Sequence, residues 1–71
     1  MTLPKNELVP TLNGYKVRYT NPEGRHSYLC HGTFWCDQDT NAIVFGSKMI
    51  AGMVAVFWDH RRQRAYEALQ K

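Results

Sequence analysis

The stretch SKMIAGMVAVFWDHRRQRAYEALQK, residues 47–71, holds the choice on which the fold turns. Read as a helix, it places Met49, Ile50, Met53, Val54, Phe57 and Trp58 at i, i+1, i+4, i+5, i+8 and i+9, one broad apolar stripe. Lys48, Gly52, Ala55 and Asp59 then fill the other side. Ser47 follows Gly46 as a candidate N-cap. Arg61, Arg62 and Arg64 fall towards the C-terminal half, where positive charge suits the helix dipole. Read as a strand, residues 53–58 form an apolar run containing Val54 and Val56. A separate helix would then begin at Asp59 with three arginines at its unfavourable end. Gly52 and the two valines count against a long helix, but a single helix over 47–70 is the preferred reading. Its length would be about 36 Å at 1.5 Å per residue, more than a small globule needs.

The same region raises the question of a membrane. Residues 42–58 are mostly apolar, but Ser47 and Lys48 interrupt them. The uncharged run 49–58 is half of the roughly 20 residues a span requires, so no membrane span is expected.

Upstream, residues 15–20 alternate. Tyr15, Val17 and Tyr19 share one face, and Lys16, Arg18 and Thr20 the other, as in a half-buried strand. Asn21-Pro22-Glu23-Gly24 follows. Proline presets the first turn position, glycine supplies a left-handed one, and Asn21 before proline is held extended. A three-residue loop with a bulge at Gly24 is expected. Asn21 then faces Arg25, Tyr19 faces Ser27, Val17 faces Leu29 and Tyr15 faces His31. Leu29, His31 and Trp35 join the Tyr15 face, and Tyr28, Cys30 and Phe34 the Lys16 face, unless a bulge at Gly32 changes the parity. Both faces carry apolar groups, so neither is expected to be fully solvated. Residues 37–41 are polar turn material and residues 42–45 read as a third strand. Pro4 and Pro10 argue against a long helix or a central strand at the start of the chain. Residues 1–13 read as an arm that docks its leucines on the core, with Asn13-Gly14 a turn signal.

The expected fold is therefore α+β: a three-stranded antiparallel sheet over 14–46, one long C-terminal helix over 47–70, and an N-terminal arm over 1–13. With 71 residues the chain is one domain, too short for a Rossmann or barrel scaffold. Ordinary globular usage, 44% apolar and 21% charged, argues against disorder. The first ten residues, MTLPKNELVP, lack the apolar core of a signal peptide. A reducing cytoplasm, with Cys30 and Cys36 free, is the expected setting.

Four kinds of chemistry are worth weighing. His26, Cys30, His31, Cys36 and His60 are metal-ligand types, but no Cys-x2-Cys knuckle is present. On a continuous strand, residues 26 and 36 would lie about 33 Å apart, so no metal or other cofactor is expected. Cys30 or Cys36 with His31 or His60 would supply a thiol nucleophile and its base, but adjacent strand residues point to opposite faces and a short chain leaves little room for a cleft. No catalytic residue is assigned. The net charge of +3 gathers partly at Arg61, Arg62 and Arg64, which could grip phosphates. A solvated helix face explains those arginines equally well.

Protein docking fits the residues best. Met49, Met53, Phe57, Trp58, Arg61 and Tyr66 are of the types that adapt to and anchor interfaces. A small domain also gains stability by pairing with its own copy. The expectation is a non-enzymatic protein-binding module, a regulator or inhibitor acting on a partner protein and itself a homodimer. Nucleic-acid binding through Arg61, Arg62 and Arg64 is the alternative.

Overall fold

The structure, a computed structural model, describes residues 2–32 and 34–70. It is an antiparallel sheet of four strands followed by one helix. The elements are β1 (Glu7–Thr11), β2 (Gly14–Thr20), β3 (His26–Cys30), β4 (Phe34–Cys36) and α1 (Lys48–Leu69), with the strands in the order β1-β2-β3-β4.

Asn21 organises the loop between β2 and β3. Its side-chain oxygen accepts from the backbone N–H of Glu23 at 3.0 Å and of Arg25 at 2.9 Å. Its own N–H donates to the Arg25 carbonyl, and Gly24, at φ +88°, donates back to Asn21. The expected register follows, with Tyr19 opposite Ser27 and Arg18 opposite Tyr28.

Three expectations for the sheet need correction. Residues 7–11 of the expected arm form β1, paired with β2 from Glu7↔Arg18 to Thr11↔Gly14. Pro10 is tolerated because β1 is an edge strand, where a missing N–H need not break a ladder. The chain also reverses at Gly32, held at φ +91°. Phe34, Trp35 and Cys36 therefore form a separate strand, β4, rather than an extension of β3. Residues 42–45, expected as a strand, make only isolated bridges, Cys30↔Ala42 and Tyr15↔Phe45. They fill the gap where β2 and β3 part, so Tyr15 pairs with Phe45 and not with His31. Gly14 permits this: at φ +148°, a Cβ there would collide with the Phe45 carbonyl.

One face of the sheet carries Leu8, Val17, Leu29 and Trp35 towards the helix. The other carries the Arg18–Glu7 ion pair at 3.0 Å and the Lys16–Asp39 pair at 3.5 Å. The bonds from Arg18 and Thr20 hold the Glu7 carboxyl below its ordinary range. Residues 37–41 fold across this second face and help to seal Cys30, which is fully buried.

Ser47 caps the helix, its hydroxyl accepting from the Ile50 N–H. The 22-residue helix is about 33 Å long. It runs on beyond the arginines, so its last turn holds no basic residue and the expected complement to the dipole is absent there. Its backbone lies over β1 and β2; only side chains reach towards β3 and β4. The buried positions are Ala51 and Ala55. This corrects the expected orientation, in which Ala55 and Asp59 lay on the far side. Two alanines let helix and sheet approach closely, and polar locks set the rotation. Asp59 Oδ1 accepts from the Asn6 backbone at 2.7 Å and from Asn6 Nδ2 at 2.8 Å. Arg62 donates to Asn6 Oδ1 at 3.1 Å, and Gln63 Oε1 accepts from the Leu3 N–H at 2.8 Å.

Candidate protein-docking face

With Ala51 and Ala55 turned inward, most of the larger apolar side chains of the first half of α1 turn outward, while Val54 and Trp58 pack partly on the core. Met49 is 76% exposed, Met53 67%, Phe57 57%, Ile50 54% and Val56 53%. Met49, Gly52, Met53, Val56 and Phe57 form a ridge along the outer surface of the helix. Single exposed apolar residues are ordinary, whereas a contiguous set on one element is the kind of surface that interaction sites present.

A groove adjoins the ridge. Because α1 sits over β1 and β2, the β3 side of the same sheet face remains open. Leu29, Ile43 and Phe45 line its floor, and Ile50, Met53, Val54, Phe57 and Trp58 its helical wall, around about 500 Å³. Among the described residues, none that lines the groove or the ridge is charged. Trp58 joins this surface to the core. It is half-buried, edge-on to Trp35 at 5.7 Å and to Phe57 at 5.7 Å.

The arginines divide by position. Arg61 is exposed, its guanidinium 5.6 Å from the Trp58 ring centre and 6.0 Å from that of Phe57. Arg62 points inward, 3.6 Å from the centre of the Tyr19 ring and 4.6 Å from that of Trp35. Desolvation lowers its pKa, partly offset by Tyr19 and Asp59. Arg64 is exposed. The three arginines therefore do not share one surface. Of the residues singled out for protein binding, the structure brings Met49, Met53 and Phe57 together, with Trp58 and Arg61 at the end of the set. Tyr66 lies apart, half-buried on the side that carries Ala55, Asp59 and Arg62.

Sequence reasoning left Val56 and the groove floor out of the candidate set. Val56 was legible, since it stands seven residues after Met49. Ile43 and Phe45 were not, because their part depends on where the helix settles across the sheet.

The cysteines sit closer than an extended strand would place them. The turn at Gly32 sets Cys36 opposite Tyr28 and Cys30 opposite Phe34, so the two thiols share a face. Burial and the neighbouring Cys36 push the Cys30 thiol up to about 11. Both cysteines are free. Among the described residues, no group of three His, Cys, Asp or Glu side chains converges as a metal site. Among the described residues, no helix is long and apolar enough to cross a membrane. Comparison with protein families, with curated proteins and with solved structures gives no match.

Proposed function

We propose that this chain is a non-enzymatic protein-docking module, a regulator or inhibitor that acts by covering part of another protein chain. The observation that carries this reading is the outward ridge of Met49, Met53, Val56 and Phe57 beside an uncharged groove. Methionine suits such a surface, because its unbranched side chain adapts to the shape it meets. Phe57 and Trp58 supply large anchors, and Arg61 supplies a polar rim. The proposed setting is the reducing cytoplasm, with both thiols free, and the ridge also serves self-association. Nucleic-acid binding is the second class. It draws less support, because Arg62 is engaged by Asn6, Tyr19 and Trp35.

Capture from host lysate, with and without nuclease, separates the classes. The expected result is a stoichiometric protein that survives nuclease, is lost with Phe57→Glu, and is retained when Arg64 and Lys71 become Gln. Loss of all bound material on nuclease treatment, together with steep salt dependence, overturns the proposal in favour of phosphate binding.

A further inference from the structure

We infer that the ridge and groove are occupied by a second copy of this chain, with the two helices antiparallel and crossing near Met53. This rests on the docking role proposed above and names the partner.

Three observations carry it. The first is area. Met49, Ile50, Met53, Val56 and Phe57, each more than half exposed, together open on the order of 600 Å², against roughly 800 Å² per partner in a standard interface. The half-buried Ile43 and Phe45 of the groove floor add to this. The second is composition. Transient interfaces are about as polar as the rest of a protein surface, whereas homodimer interfaces are more apolar and their cores lack charge. Among the described residues, those that line the ridge and the groove are uncharged, with Arg61 at their edge. The interior of one copy is also thin. Among the described residues, the buried apolar ones are Val17, Tyr19, Leu29, Cys30, Ala42, Ala51 and Ala55, of which three are alanine. Domains of this size commonly rely on oligomerisation to complete a core.

The third observation sets the orientation. Along the outer surface of α1 the first half is apolar, Met49 to Phe57, and the second half carries the exposed His60, Arg61 and Arg64. Parallel pairing would stack the arginines of one copy on those of the other. Antiparallel pairing about Met53 lays Met49 against the mate's Phe57 and sends the basic halves to opposite ends. A twofold axis through this region makes the contact isologous and closed. Gly52 stands at the crossing with nothing within 4 Å of where its Cβ would be, so the mate can approach closely. A different protein that binds this face competes with the mate, and self-pairing then masks the docking surface as concentration rises.

Sedimentation equilibrium of the full chain and of Phe57→Glu tests this, together with oxidative cross-linking of Met53→Cys and Arg64→Cys, each combined with Cys36→Ser to remove the native reactive thiol. The expected mass is about twice the 8.3 kDa of one chain, falling to a single chain in Phe57→Glu with an unchanged far-UV spectrum. Met53→Cys should cross-link to its own copy and Arg64→Cys should not. A single-chain mass at high micromolar concentration overturns self-pairing and leaves the docking role to the capture experiment. A dimer that persists in Phe57→Glu places the interface elsewhere and overturns self-pairing through this face, again leaving the docking role to the capture experiment. Cross-linking through Arg64→Cys overturns the antiparallel arrangement.

Discussion

Arg62 ties three elements together from one side chain. Its guanidinium lies over the Tyr19 ring on β2 and near the Trp35 ring on β4, and it donates to Asn6 ahead of β1. A planar cation can stack and donate at once, and an ammonium cannot do both in the same space. Arg62→Lys should therefore cost about 1–2 kcal/mol, read as a lowered midpoint in urea. Arg64→Lys, on the exposed surface, should change little. Cys30 makes a second residue-scale case. Buried, with its pKa pushed up to about 11, it stays protonated where a solvated thiol, near 8.5, ionises. The folded state then holds a proton that the unfolded state has released. The contribution is fully present below about pH 8.5 and is lost as pH rises towards 11. Alkylation at pH 8 should modify Cys36 and spare Cys30, with Cys30 reacting only at the rate of unfolding. Equal labelling of both thiols, read by peptide mass, would contradict this burial.

At the scale of elements, two glycines act in opposite senses. Gly14 begins β2 at φ +148° with the Phe45 carbonyl where a Cβ would stand. Gly14→Ala should break the bridge between Tyr15 and Phe45 and destabilise the fold by about 2 kcal/mol or more. Hydrogen exchange of the Tyr15 and Phe45 amides reads the loss directly. Gly52 is the reverse, a helical glycine in open space within one copy. Gly52→Ala should stabilise the dilute chain by about 1 kcal/mol through helix propensity alone. At high concentration the same methyl group stands at the crossing and should weaken self-pairing. A variant that is more stable when dilute and less dimeric when concentrated is the expected signature. The hairpin of β2 and β3 was legible in the sequence because Asn21, Pro22 and Gly24 specify their own loop. β1 was hidden, because prolines forbid a central strand and say nothing against an edge. β4 was hidden because Gly32 serves a bulge or a reversal equally well.

For the whole molecule, a thin core and an open apolar face have a common consequence. Whatever binds the folded chain and not the unfolded one adds stability by mass action. If that ligand is a second copy, the thermal midpoint must rise with protein concentration. Scans of the full chain over a hundredfold concentration range should show the rise, and scans of Phe57→Glu should not. A midpoint independent of concentration in both would mean that one copy, with its open groove, accounts for the whole stability. The helix length belongs at this scale too. At about 33 Å it spans most of the longest dimension of the molecule, 42 Å, and Leu69 at its far end is 83% exposed.

By itself, the sequence determined whatever rests on near neighbours. That covers the alternation along residues 15–20, the loop at Asn21 and its register, the Ser47 cap, and a single helix where apolar residues recur at helical spacing. The rotation of that helix was settled only in the tertiary structure. An amphipathic count places the largest apolar groups against the sheet. The folded chain instead buries Ala51 and Ala55 and turns Met49, Met53 and Phe57 outward. Residues more than fifty positions apart make that choice, Asn6 with Asp59 and Arg62, and Leu3 with Gln63. A part-buried polar lock costs more to break than a methionine costs to expose, and no local pattern records which polar groups will meet.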